Sequence, residues 1–85
     1  MNDEVDAIGA WLAERIAVYL DCETDEIGTD ASLVTLGVDS VYVMGITGEI
    51  QDRYDIELDP STVWDHPTVS ELAKYLHGCL KGGGR

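Results

Sequence analysis

The sequence has no phenylalanine, two cysteines, two prolines and only 5 Lys+Arg among its 85 residues. It also lacks any run near the ~18 consecutive apolar residues of a membrane span. Its start, Met1-Asn2-Asp3-Glu4, has neither the basic residues nor the apolar stretch of a secretory signal. Without Phe, a core must rest on Leu, Ile, Val and Ala, with four Tyr and two Trp beside them. The shortage of basic residues, set against 17 Asp+Glu, gives a net charge of −12. Such a charge repels phosphate backbones and anionic lipid, so nucleic-acid and membrane binding are excluded and partners with basic patches are favoured. Cys22 and Cys79 form no CxxC pair and are expected to be free thiols. With His66 and His77 at unrelated spacings they make no zinc set, and no metal site is expected. The acidic stretch Asp21-Cys22-Glu23-Thr24-Asp25-Glu26 fails as an EF-hand, lacking the glycine and the final glutamate, and reads as a solvated face.

What is present is a 45% hydrophobic content, too high for a disordered acidic tail, in a length that permits one small domain. Residues 1–80 read as that domain, and 81–85, Lys81-Gly82-Gly83-Gly84-Arg85, as a flexible Gly-rich tail. The expectation is a soluble, cytoplasmic monomer; the chain ends do not decide between a free-standing protein and a domain of a larger one.

Periodicity suggests the fold. Asp3 can cap a first helix, with Glu4 and Asp6 in its first turn, where the helix dipole favours acids. Val5, Ile8, Leu12, Ile16 and Tyr19 recur at steps of three and four, which predicts one buried stripe ending near Asp21. Residues 21–39 are polar apart from scattered apolar positions, and predict a long loop pinned to the core by Ile27, Leu33 and Leu36. A second helix is predicted from Asp39-Ser40 to about Tyr54, with Val43, Ile46, Thr47, Ile50 and Tyr54 inward. Pro60 opens a short segment, Ser61 to Asp65, that Pro67 ends. Thr68-Val69-Ser70-Glu71 is a capping box for a last helix with Val69, Leu72, Ala73 and Leu76 inward. Ile56 and Leu58 alternate around Glu57, too briefly for a strand. The predicted fold class is all-α: a small four-helix bundle, three main helices and one short one, with a long first loop.

Ser40 is the residue most suited to chemistry. It opens a helix in Leu36-Gly37-Val38-Asp39-Ser40-Val41. On position alone, Asp39 or Ser40 is simply an N-cap, worth about 1 kcal/mol. A helix N-terminus also welcomes phosphate, because free N–H groups and the dipole both favour an anion. No activating base stands near Ser40 in the chain, so if it reacts, another enzyme must activate it.

The same stretch resembles the attachment motif of acyl carrier proteins, usually written L-G-x-D-S-L. The resemblance continues through Asp52-Arg53-Tyr54-Asp55-Ile56-Glu57-Leu58, Val63-Trp64-Asp65-His66-Pro67-Thr68-Val69 and Leu72-Ala73-Lys74-Tyr75-Leu76. With Ile27 and Leu33 it covers nearly the whole chain. The D-H-P-T element makes the chain most similar to polyketide-synthase-type carriers. Peptidyl carriers typically show L-G-G-[HD]-S where Val38-Asp39 stand here. The resemblance implies that Ser40 receives 4′-phosphopantetheine from coenzyme A through a phosphopantetheinyl transferase, which Asp39 helps to position. It also implies that the arm's thiol carries acyl intermediates as thioesters in polyketide or related secondary-metabolite biosynthesis. The chain would be a non-catalytic carrier, meeting acyl-loading, ketosynthase or condensing enzymes through their basic docking patches.

With the second helix's inward set assigned, Val41, Tyr42, Met44, Gly45 and Gly48 fall on or near its outer side. Val41 and Met44 either border the core or form a docking patch, and the matching family positions contact partners or line the acyl pocket. Gly45 and Gly48 each cost roughly 1 kcal/mol relative to Ala, as tolerated drift or to admit cargo or a partner closely. Gly45 departs from the family, where many members carry Glu, so Glu49 and Asp52 are the remaining candidate docking acids on this helix. Trp64 either packs or borders an acyl pocket; Trp11, Tyr19 and Tyr75 are expected to pack. Two alternatives stand beside the polyketide reading. One is a free-standing carrier accepting a fatty acyl starter for lipopeptide-type biosynthesis. The other is an acidic helical protein-interaction module with Ser40 only a helix cap.

Overall fold

The computed structural model describes residues 3–81. Helix α1 runs Asp3–Leu20, so Asp3 lies within the helix and is not the cap expected from sequence. Ile8, Leu12 and Ile16 point inward as predicted, joined by Gly9, Ala13 and Ala17. These small residues let α5 (Val69–Lys81) approach α1 closely: a Cβ added to Gly9 would lie 3.7 Å from that of Ala73. Tyr19 is a correction. It lies on the expected side of the helix but is 44% exposed, at the rim of the core, where its ring stacks on another aromatic ring. Asp21, at φ 59°, then turns the chain, and Cys22 N bonds Ala17 O at 3.0 Å to close the helix.

The long loop is ordered by more than its three predicted pins. Ile27 and Leu33 are buried and Leu36 half-buried, but Val38 is buried as well. A 3-10 turn at Thr24–Glu26 and a single turn of helix, α2 (Leu33–Leu36), interrupt the loop. Leu33 N donates to Pro67 O at 2.8 Å and Ser70 N to Thr29 O at 2.9 Å, tying the loop to the start of α5. These distant partners are not visible in a local pattern.

Helix α3 (Ser40–Tyr54) buries Val43, Ile46, Thr47 and Ile50, with Tyr54 half-buried, as predicted. The buried Thr47 hydroxyl donates to Val43 O at 2.6 Å, so it leaves no unpaired group. Helix α4 (Pro60–Asp65) starts one residue before the predicted segment. It is capped by Asp59, whose carboxylate accepts from Ser61 N at 2.8 Å; that bond holds the Asp59 pKa below its usual range. Thr68 Oγ1 accepts from Glu71 N at 3.1 Å, the hydroxyl half of the predicted capping box. Val69, Leu72, Ala73 and Leu76 face inward. Lys81 belongs to α5 and not to the predicted tail, whose other positions, 82–85, lie outside the described residues. The predicted three main helices are α1, α3 and α5, and the short one is α4. Among the described residues there is no strand, only an isolated antiparallel bridge between Ser32 and Thr68.

Cys22 and Cys79 are free thiols. Burial, then the carboxylates of Glu26, Asp21 and Glu23, push the Cys22 thiol up, which makes it a poor nucleophile. A net charge of −12 makes the acids repel one another. Moving from low to moderate salt is therefore expected to raise Tm in a thermal melt, by screening that repulsion. A Tm that stays put would refute this account.

Candidate functional site

The chain is delivered to Ser40 by a short series of local constraints. Helix α2 ends on Gly37, whose φ of 106° is a left-handed conformation that glycine adopts without strain. Val38 then anchors in the core, and Asp39 emerges as the N-cap of α3. Asp39 Oδ1 accepts from Tyr42 N at 2.9 Å. The sequence left the cap open between Asp39 and Ser40; the structure assigns it to Asp39. Ser40 is exposed as the first residue of α3, and its hydroxyl has no hydrogen bond among the described residues. It stands where unpaired N–H groups and the helix dipole favour an anion. Neither histidine serves it as a base: His66 stacks on Tyr75 at 4.6 Å, and His77 pairs with Glu4 at 2.7 Å.

Several large apolar side chains are exposed on α2, α3 and α4. Val41 is 76% exposed and Met44 63%, and Val34 on α2 is 60% exposed. Sequence reasoning missed Val34, although an apolar residue just before the attachment stretch was the available signal. Trp64 on α4 is 42% exposed, so the packing reading of this residue is corrected. Tyr75, expected to pack, is also exposed at its stack on His66. Trp11 does pack, edge-on to Tyr54 at 5.6 Å beneath the Arg53 guanidinium. A Cβ at Gly45 or Gly48 would meet nothing within 4 Å, so no internal packing requires either glycine.

Tyr42 is a further correction. Expected on the outer side, it is 5% exposed, because α1 lies over that flank of α3. Its ring stacks on Tyr19, with centroids 3.8 Å apart, and the Tyr19 hydroxyl reaches Asp39 Oδ1 at a long 3.4 Å. The Tyr42 hydroxyl is buried and unpartnered, an arrangement that costs roughly 1–3 kcal/mol. Burial, then the Glu49 charge, raise its pKa well above the usual phenol range, so it stays protonated. Glu49 is also less available for docking than the sequence suggested. Arg15 of α1 donates to it at 2.8 Å, and that bond raises the arginine's pKa. Asp52 remains exposed. Arg15, Glu49 and Tyr42 all line a groove of about 320 Å³ between α1 and α3, beginning at Val41. At the opposite pole, Arg53, His77 and Lys81 line a groove of about 440 Å³, away from Ser40.

The family described as "Phosphopantetheine attachment site" matches residues 10–76, a span that contains Ser40 and both flanking helices. The chain belongs to this family. It is 30% identical over 74 residues to the Cluster 41 polyketide synthase of Aspergillus flavus, covering 87% of this chain but 7% of that protein. The chain spans only 4% to 7% of the length of the first curated relatives it matches. Among solved structures, a free-standing peptidyl carrier protein from an Acinetobacter baumannii secondary metabolic pathway superposes with a TM-score of 0.88. It is 29% identical, with 93% of this chain and 99% of that one covered. The acyl carrier protein LipD of Actinoplanes friuliensis gives a TM-score of 0.75 at 37% identity, covering 92% and 87%. The expected carrier fold is thus the observed one, and the cofactor is a covalently attached 4′-phosphopantetheine. The residues present fit that group. An exposed hydroxyl relieved of capping duty offers the ester oxygen, and the start of α3 offers a favourable field for the phosphate.

Proposed function

We propose that Ser40 is the phosphopantetheine attachment residue, and that the chain carries acyl groups as thioesters between enzymes of polyketide or related secondary-metabolite assembly without catalysing a step itself. The observation that carries this reading is the division of labour at the start of α3: Asp39 caps the helix and leaves the exposed Ser40 hydroxyl unengaged. Ser40 supplies the oxygen that is esterified; a phosphopantetheinyl transferase supplies the base that this chain lacks. Asp39, exposed beside Ser40, is placed to meet the transferase. Val34, Val41, Met44 and Trp64 supply the apolar surface, and Asp52 the charge, that acyl-loading or condensing enzymes with basic patches would engage. The free thiols at Cys22 and Cys79 support a cytoplasmic setting. Likeness to polyketide synthases supports the pathway class, while likeness to a free-standing carrier supports the alternative of a carrier accepting a fatty acyl starter.

The test is intact-protein mass after incubation with coenzyme A, magnesium and a broad-specificity transferase, followed by fragmentation. One arm per chain, located on Ser40, is the expected result. A folded protein that gains no mass would leave an acidic interaction module as the better reading.

A further inference from the structure

The groove between α1 and α3 combines three features that the bundle itself does not explain. It begins at Val41, the residue after Ser40, and continues past Gly45 along about 12 Å of helix to Glu49. Val18 of α1 and Val41 of α3, both exposed, are among its apolar lining. Tyr42 also lines it, 5% exposed and carrying a hydroxyl that has no hydrogen-bond partner. Buried hydroxyls are nearly always paired, so an orphan beside a groove points to an acceptor that enters the groove. Gly45 leaves the α3 backbone bare within it, with nothing within 4 Å of an added Cβ. Tyr19, which stacks over Tyr42, is 44% exposed, and its hydroxyl makes only a long 3.4 Å contact to Asp39.

We propose that this groove holds the phosphopantetheine arm in its resting position, with an amide carbonyl of the arm accepting the Tyr42 hydroxyl proton in a hydrogen bond. The inference rests on attachment of the arm at Ser40. The arm is the occupant, and its cargo is not, for two reasons. The groove starts next to the attachment residue, so the part of the ligand nearest the serine reaches it first. The arm also carries one dimethyl-substituted carbon near its phosphate end and two amides beyond it, which matches two valines followed by a phenol donor. A plain alkyl chain would leave the Tyr42 hydroxyl unpaired. Tyr42 is protonated throughout the ordinary pH range, so it acts as the donor.

The test compares wild type, Tyr42→Phe and Gly45→Leu, each as apo-protein and after transferase treatment, with uptake of the arm verified by mass. Absence of uptake would count against Ser40 attachment, whereas uptake without groove contacts would count only against this inference. With isotope-labelled protein and unlabelled arm, the wild type should show nuclear Overhauser contacts from the arm's methyl groups to Val18 and Val41. Amide shifts between apo and holo forms should extend to Gly45. Tyr42→Phe keeps the ring and removes only the orphan hydroxyl; it should still take the arm but lose more than half of the shift at Val18 and Gly45. Gly45→Leu, at an open helical position, should fill the groove and do the same. The proposal is overturned by wild-type shifts confined to Ser40 and its neighbours, or by Val18 contacts that appear only after acyl loading. Holo variants that keep the wild-type contacts overturn it equally.

Discussion

Ser40→Ala is expected to abolish phosphopantetheine uptake completely while leaving the fold and its melting temperature essentially unchanged. The serine is exposed, its hydroxyl makes no hydrogen bond among the described residues, and the capping bond to Tyr42 N comes from Asp39. Alanine is the best helix former, so the first turn of α3 loses nothing by the change. Asp39→Ala should lower stability, and it should also slow uptake of the arm, because Asp39 is placed to meet the transferase. Losing the cap costs about 1 kcal/mol, or roughly 4–8 °C of Tm in a domain of this size. The hydroxyl that accepts the arm would remain. Intact mass and circular-dichroism melts on the two variants separate these effects. A Ser40→Ala protein that still gains one arm would move the attachment site elsewhere, and one that melts well below wild type would return the capping role to Ser40.

Leu12→Ala should be the most damaging single change in the core. Leu12 is fully buried in α1, within the core cluster that includes Ile50 of α3 and Leu72 and Leu76 of α5. Removing its branched end loses transfer free energy and leaves a cavity, together about 3 kcal/mol. In a small domain that corresponds to roughly 12–24 °C of Tm, a large share of the 5–15 kcal/mol that folded domains typically possess. Val18→Ala on the same helix is the control, because Val18 is 61% exposed and its loss should stay within about 0.5 kcal/mol. Urea titration checks both. Equal midpoints for the two variants would mean that the α1 stripe does not hold the bundle together.

Much of the fold was legible because it rests on short-range rules. The inward sets of α3 and α5 follow from apolar spacing, and Pro60 and Thr68 mark helix starts through contacts within a few residues. The motif around Ser40 was legible for the same reason: glycine, cap and serine are consecutive in the chain. Misplacements fell where a residue's surroundings come from another element. Tyr19 occupies the right side of α1, but sits at the rim of the core. Tyr42 occupies an outer position of α3 that α1 happens to cover. Trp64 had enough apolar area to be read as packing, yet α4 is short and leaves it in solvent. Val38 and the single turn of α2 were hidden because a polar loop holds its order through backbone bonds to the start of α5.

The sequence by itself determined that this is an all-helical acidic domain with Ser40 at a helix start, because helix periodicity and capping act within about one turn of chain. Only the tertiary structure decided that Asp39 and not Ser40 does the capping, that Arg15 reaches across 34 positions to occupy Glu49, and that Tyr42 is buried with an unpaired hydroxyl. Those outcomes depend on the angle and depth at which α1 lies against α3, and that geometry is set by the packing of the whole core rather than by any short stretch of sequence.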